Sequence, residues 1–359
     1  MNSAYIVVFI TSFLTLFLMR KVAKKIGLVD KPNARKLHQG AVPLVGGISV
    51  FLALCAVFIL YLPMNLNLAL YLSCSGVLIV LGALDDKFDL SFKIRLFVQA
   101  GISLAMIVIG GHSLHNLGYL MGSETIALGE VAGSIITIIA VIGAINAFNM
   151  VDGIDGLLGG LASVTFTALG IVFFTSGNEY LGTFCLLIVA ALIPYILLNL
   201  GFLFGKRYKI FMGDAGSMFI GFSVVWMLIR GTQEPNIDAF KPVTALWLIA
   251  LPLMDMATIM IRRMRKGHSP FKPDREHLHH ICQRMGLSPL MTLVVICMMA
   301  SICAVVGLWA DMNNIAESTM FIGFLCLFTV YFTVISHIWR ITSFFKKIFY
   351  SERVNKNAL

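Results

Sequence analysis

Stretches of roughly 17–25 predominantly apolar residues recur from one end of this chain to the other, and few folds accommodate that pattern. Inside a bilayer every backbone N–H and C=O must find a partner within the protein, so a spanning segment is an α-helix or a strand of a closed barrel. Continuous apolar runs, without the two-residue alternation of a barrel strand, select the helix. With 58% hydrophobic and only 13% charged residues, the chain lies outside the range of ordinary soluble domains. About eleven transmembrane helices are predicted, over 3–19, 44–62, 66–84, 94–110, 131–148, 157–175, 181–200, 216–231, 243–261, 290–309 and 318–338. The expected fold is an all-α integral membrane protein, with one polytopic domain over 1–350 and a short basic tail at 351–359.

The basic residues assign a side. Of the 27 Lys and Arg, only Arg230 and Lys241 fall in one set of connecting loops. The rest lie in 20–43, 85–95, 201–215, 262–289 and 339–359, which marks those segments as cytoplasmic. The N-terminus is then outside and the C-terminus cytoplasmic. No basic residue precedes the first span, whereas Arg20, Lys21, Lys24 and Lys25 follow it, the reverse of a cleavable signal peptide. The net charge of +9 therefore belongs mostly to one membrane face, where it suits anionic headgroups or an anionic substrate. Nothing points to nucleic acid. The seven Cys show no CxxC pair and, Cys282 apart, lie in predicted spans, so neither a disulfide nor a zinc cluster is expected.

A large share of the acids is concentrated in three short segments at the cytoplasmic ends of spans, where an unpaired carboxylate is costly and so marks a functional candidate. Asp85, Asp86 and Asp89 follow the third span. The negative end of the helix dipole disfavours carboxylates there. They form either a solvated loop paired with Lys87, Lys93 or Arg95, or a site for a divalent cation or phosphate, in which Mg²⁺ relieves the repulsion between adjacent acids. Asn146, Asn149, Asp152 and Asp155 recur every three residues, one polar stripe if the helix continues, and Gly153 and Gly156 permit close approach. A helix cap would account for Asp155 alone. Asp214, in Met212-Gly213-Asp214-Ala215-Gly216-Ser217, is a candidate N-cap or part of a phosphate-cradling turn. The longest inner loop carries Arg262, Arg263, Arg265 and Lys266, then His277-Leu278-His279-His280. Zinc would lack complementary Cys ligands, so imidazoles among cations are better placed to donate to pyrophosphate oxygens. The basic loop from Lys36 through His38 to Gly47 is compatible with an anion site or with tight helix packing. Asp255, inside the ninth span, could bond a neighbouring helix or line a cavity.

In combination, Asp85-Asp86 with Asp89, Lys93 and Gln99, the Asn149–Gly156 run, the Phe211–Ser217 run and the His277–His280 loop resemble the polyprenyl-phosphate N-acetylhexosamine-1-phosphate transferases. The resemblance covers about Val29 to Arg284. The His-Leu-His-His form, with Asp274-Arg275 before it, is similar to the branch that uses N-acetylglucosamine; the phospho-muramoyl-pentapeptide branch typically carries three consecutive His. The resemblance implies UDP-N-acetylglucosamine as donor, undecaprenyl phosphate as acceptor and Mg²⁺, with Mn²⁺ as a substitute, as cofactor. It implies a catalytic set of Asp85, Asp86 and Asp214, with Asp214 and Asp86 toward the metal. Asn149, Asp152, Asp155 and Phe211 would hold the nucleotide. Arg265, His277, His279 and His280 would hold the diphosphate, and Lys36, His38 and Lys93 an anion or the lipid phosphate. It also implies a bacterial inner-membrane location in contact with membrane lipids and a product destined for lipopolysaccharide O-antigen or a related polysaccharide, with a homodimer left open. An intramembrane prenyltransferase would explain only the Asp85-Asp86-x-x-Asp89 string. A cation-coupled transporter would place its acids near the bilayer midplane, where only Asp255 lies.

Overall fold

Helices account for most of the residues described by the computed structural model, which are 2–31, 40–270 and 276–356, with side chains described as far as 338. In chain order they are α1 (Asn2–Ile26), α2 (Gly46–Tyr61), α3 (Leu66–Phe88), α4 (Phe92–Val108), α5 (Glu130–Val151), α6 (Leu157–Thr175) and α7 (Glu179–Asn199). There follow α8 (Gly213–Gln233), α9 (Pro242–Leu248), α10 (Ala250–Arg265), α11 (Leu278–Arg284), α12 (Pro289–Met312) and α13 (Glu317–Lys356). A two-residue antiparallel pair, β1 (Val29–Asp30) with β2 (Val42–Pro43), ties the segment after α1 to the start of α2.

Each of the eleven predicted spans falls on a helix, but fewer helices are long enough to cross a membrane unaided. Among the described residues eight are long and apolar enough, namely α1, α3, α5, α6, α7, α8, α12 and α13, and α9 with α10 would make a ninth. The protein is thus an all-helical, multi-pass membrane protein. The predicted span 243–261 is broken, because α9 and α10 meet at 80°. Pro252 has no N–H to return to Leu248, and its ring would clash with that carbonyl in a continuous helix; it is tolerated in the first turn of α10 instead. Helices α2 and α4 have 16 and 17 residues. At the other extreme, α13 continues past position 338 to Lys356.

The bundle is built around α8, which is wholly buried, with α3, α5 and α2 packed on it. Small residues permit that packing. A Cβ on Gly82 of α3 would lie 2.3 Å from the Cα of Ala215, and one on Gly47 of α2 would lie 2.0 Å from the Cα of Gly216. Without a solvent-driven hydrophobic term between helices in lipid, such backbone-to-backbone approach is a main source of packing energy. Further along, Phe58, Tyr71, Phe184, Phe222 and Trp226 fill the space between α2, α3, α7 and α8, and the Tyr71 hydroxyl lies 2.7 Å from Ser223 Oγ. At the far end of α8, about 24 Å from Asp214 at 1.5 Å per residue, Arg230 donates to both oxygens of Glu234 at 2.6 and 3.0 Å. Burial alone would raise the Glu234 carboxyl, but His112 at 3.1 Å and Arg230 outweigh it and hold it at about 2.

The contact at Gly82 makes a sharp expectation. Gly82→Val sets a branched side chain against backbone that cannot rotate away and should lower stability by about 1–3 kcal/mol or more. Gly101→Ala, which faces open space on α4, should not destabilise the protein. Thermal midpoints in detergent would separate the two.

Candidate active site

The chain folds so that the C-terminal ends of α3 and α5 and the N-terminal ends of α4, α6 and α8 meet at one end of the bundle. Helix α3 stops at Phe88 because Asp89 turns left-handed, with φ of 52°. Asp85, one turn earlier, is buried at 5% exposure. Its Oδ1 accepts the Leu90 N–H at 2.8 Å and its Oδ2 accepts Arg95 Nη1 at 2.7 Å. The guanidinium thus offsets the unfavourable position of a carboxylate at a helix C-terminus. Arg95 comes from the first turn of α4, and the same nitrogen lies 3.9 Å from Asp214 Oδ2.

Asp86 points the other way, into the start of α8. Its Oδ1 accepts the Asp214 N–H at 3.0 Å and its Oδ2 the Ala215 N–H at 3.5 Å. The N-cap residue of α8, Met212, makes no side-chain cap bond, so Asp86 of α3 supplies the cap across the helix interface. Gly213 is required twice over, by a φ of +75° and because a Cβ there would lie 2.4 Å from Asp86 Oδ2. Asp214 is therefore not the cap of α8. Its Oδ1 accepts Asn149 Nδ2 at 2.8 Å, and the same amide donates to Ser217 Oγ at 2.8 Å. Beneath this layer, Asn146 Nδ2 donates to Gln99 Oε1 at 3.2 Å.

The expected stripe of four polar residues is divided. Helix α5 ends at Val151, so Asn146 and Asn149 lie on it while Asp152 and Asp155 lie in the turn to α6. Asp152 leaves the helical region, with ψ of 61°, and Gly156, with φ of +77°, opens α6 as its N-cap, its N–H donating to Asn199 Oδ1 at 2.5 Å. Asp155 does not cap α6 but pairs with Lys209 Nζ at 2.5 Å. That ammonium sits 5.2 Å from the centre of the Phe211 ring. Phe211 is held by its backbone, its N–H donating to Pro43 O and its C=O accepting from Gly46, both at 2.9 Å. The Asp152 carboxyl is pushed up to about 7, first by burial and then by the charges of Asp214 and Asp155.

The histidines arrive from α11. His277 is its N-cap residue, with Nδ1 2.8 Å from Asp255 Oδ2. The His277 and His279 rings are parallel at 5.7 Å, and His280 lies 4.2 Å from His279. His279 is 2% exposed and rests on the Asp152-Gly153 turn, where a Cβ on Gly153 would lie 2.0 Å from its Nε2. That Nε2 has no hydrogen-bond partner among the described residues. Burial, with His280 and His277 beside it, pushes His279 down to about 3. It is a neutral ring that can offer an N–H but no charge.

The other basic candidates lie further from the acidic cluster or outside the described residues. Arg265 is exposed and lies over the Phe332 ring of α13, 4.9 Å from its centre. Arg262 and Lys266 instead meet Glu276, at 2.8 and 3.1 Å, immediately before His277. Lys93 is exposed at the start of α4, and Arg95 rather than Lys93 reaches the carboxylates. Lys36 and His38 lie outside the described residues. The sequence signal for Arg95 was present but weak: it is one of three cations near Asp85, and only the direction of α4 selects it.

Among the described residues no three His, Cys, Asp or Glu side chains are arranged to hold a metal ion by themselves. Mg²⁺ does not demand such a cage, since it is commonly held by one or two carboxylates, waters and substrate phosphates. Asp86 and Asp214 offer hard oxygens side by side, and the Asp214 side chain is 37% exposed, so the donor set fits that mode. The buried acid beside them depends on its guanidinium. Arg95→Ala should cost about 1–3 kcal/mol by leaving Asp85 unpaired, a range discounted for partial exposure of the arginine. Lys93→Ala should stay within about 0.5 kcal/mol. Unfolding in detergent, followed for both variants, would check the contrast.

Residues 68–232 match glycosyl transferase family 4, a range that runs from α3 to the end of α8 and contains all three acidic segments. Across nearly the whole chain, the undecaprenyl-phosphate alpha-N-acetylglucosaminyl 1-phosphate transferase of Yersinia pestis is 50% identical over 348 residues, 97% of this chain and 94% of that protein. The protein of that name from Escherichia coli K12 is 49% identical over 354 residues, 98% and 94% of the two chains. That of Haemophilus influenzae is 46% identical over 343 residues, 95% and 96%. These similarities extend past the family match into the His loop and the last two helices. The chain belongs to the polyprenyl-phosphate N-acetylhexosamine-1-phosphate transferases of glycosyl transferase family 4.

Proposed function

We propose that the protein transfers N-acetylglucosamine-1-phosphate from UDP-N-acetylglucosamine to undecaprenyl phosphate, releasing UMP and leaving the sugar on a lipid diphosphate. The observation that carries this reading is the meeting of Asp85, Asp86 and Asp214 with Arg95 and Asn149 at one end of the bundle, in a chain of this family. An oxygen of the lipid phosphate attacks the phosphorus that bears the sugar, and the P–O bond to UMP breaks with its electron pair leaving on UMP. Both reactants are anions, so the site must neutralise their approach. Asp214 and Asp86 would hold Mg²⁺, or Mn²⁺, which when bound supplies positive charge to the phosphate oxygens.

The acceptor needs little help to ionise, because the second pKa of a phosphate monoester is about 6. Asp85 then positions the acceptor or takes its residual proton; the engagement of both its oxygens by Leu90 and Arg95 supports a positioning role over a nucleophilic one. Asn149, Asp152, Asp155 and Phe211 face the nucleotide in this reading, with the Phe211 ring available to stack on uracil. The diphosphate falls to His277, His279 and His280 with Arg265, and Arg262 joins them through its tie to Glu276. Lys36, His38 and Lys93 would draw the lipid phosphate to the surface. The distribution of Lys and Arg supports a cytoplasmic site in a bacterial inner membrane. The product would serve lipopolysaccharide O-antigen or a related surface polysaccharide. The chain would act among membrane lipids, with a homodimer compatible.

Purified protein given both substrates should release UMP only with Mg²⁺ or Mn²⁺ present. Asp214→Asn should remain folded, since Asp86 rather than Asp214 caps α8, yet lose at least about 100-fold in turnover. Near-normal activity with unchanged metal dependence would remove Asp214 from the metal site. Without lipid, the enzyme should release no stoichiometric burst of UMP; a burst equal to the enzyme concentration, lost in Asp85→Asn, would make Asp85 a nucleophile. Sidedness has its own test in a cysteine-depleted background. Cys at positions 93 and 266 should react with an impermeant reagent only from the cytoplasmic side, and Cys at the exposed position 121 only from outside. Reaction of 93 and 266 from opposite sides would dismantle the single-face site.

A further inference from the structure

Asp255 is used by none of the steps above, yet it is 2% exposed inside the broken span, where a carboxylate needs a reason to be. Three donors from two other elements converge on it. The Leu278 N–H, an otherwise unpartnered donor at the start of α11, reaches Oδ1 at 3.0 Å, and the Tyr331 hydroxyl of α13 reaches the same oxygen at 2.8 Å. His277 Nδ1 lies 2.8 Å from Oδ2. The first two contacts anchor the carboxylate and cap the helix. The third has a chemical consequence, because a carboxylate against Nδ1 keeps the proton on that nitrogen and fixes the plane of the ring.

We infer that Asp255 is the positioning residue of the His loop: it holds His277 in its Nδ1–H form, so that Nε2 is the nitrogen turned to the diphosphate. Tyr331 braces Asp255, which links the last helix to the site. Among the described residues, the titratable groups around the ring include Asp255 of α10, Tyr331 of α13, and His279 and His280 of α11. Among the described residues only Asp255 of these is a carboxylate; it occupies Nδ1–H, so a second ring proton lies on Nε2, where it donates to a phosphate oxygen. The inference rests on the transferase reading, in which His277 meets the diphosphate.

A double-mutant cycle on the full-length enzyme in detergent tests it, with UMP release from UDP-N-acetylglucosamine and undecaprenyl phosphate as the readout. Asp255→Asn keeps an oxygen for Leu278 and Tyr331 but presents an NH₂ to Nδ1, which drives the ring proton to Nε2. It should lower kcat/KM by about 30–100-fold. In a His277→Ala background the same change should cost less than about 3-fold, since the group it acts through is gone. Equal losses in both backgrounds, or no loss in the first, would overturn the assignment. Should Asp255→Asn not fold, Tyr331→Phe carries the same cycle, with a loss of about 3–10-fold expected only where His277 is present. The ¹⁵N spectrum of histidine-labelled enzyme reads the ring directly and needs no turnover. His277 should show a protonated Nδ1 that Asp255→Asn deprotonates; a wild-type ring with Nδ1 unprotonated would sink the proposal even if the enzyme is active. A wild type that releases no UMP would instead defeat the transferase reading and leave the spectrum to decide on Asp255.

Discussion

The capping of α8 by Asp86 is the interaction on which the rest of the site depends. A buried helix that begins inside the protein leaves N–H groups that neither water nor lipid can satisfy. Here the Asp86 carboxyl of α3 accepts them at the positive end of the helix dipole. That geometry exists only because Gly82 lets α3 lie on Ala215 and because Gly213 leaves room for Asp86. One turn of α3 therefore sends Asp86 into α8 while its neighbour Asp85 turns to Arg95. The same contact brings Asp214 to the rim of the cluster, where Asn149 of α5 takes one of its oxygens.

Charge balance then shapes what this end of the bundle can do. Asp85 has its own guanidinium and Asp155 its own ammonium, whereas Asp152 is pushed up to about 7 by burial and by the acids around it. A site in that state suits a cation and anionic phosphates more than either alone, since each relieves the repulsion the other would meet. The His loop is organised on a separate principle. His279 is neutral and pressed on the Gly153 turn, and His277 is oriented by a carboxylate from a different helix. In the proposed reaction the two groups of residues divide the work, with metal and acceptor on the acids and the donor's diphosphate, which loses UMP, on the imidazoles.

Residue type and spacing were enough to read the helical membrane class, the positions of the helices, the acidic segments at their ends and the family. All of these are local properties: an apolar run long enough to cross a bilayer is helical wherever it packs, and a motif is carried by neighbours in the chain. Even the break between α9 and α10 has a local cause in Pro252, although a hydropathy window passes over it. The polar stripe of α5 likewise stops where Asp152 leaves the helix, and Gly156 opens α6 through its own backbone freedom, signals that three-residue spacing obscures.

What the tertiary structure alone decided is which charged groups meet. Asp86 and the Asp214 N–H are 128 residues apart, and nothing in the spacing of either motif says that one caps the helix of the other. Arg95 was chosen over Lys87 and Lys93 by the direction in which α4 leaves its Ser91 cap. Arg265 points to Phe332 while Arg262 turns to Glu276, because residues three apart on α10 present neighbouring but different directions to α13 and to the His loop. Asp255 was ambiguous in the sequence for the same reason: its partners His277, Leu278 and Tyr331 come from two elements that only folding brings to it. Sequence periodicity sets where side chains lie along a helix, but pairing depends on the rotation and packing of helices against one another, which contacts across the whole bundle determine.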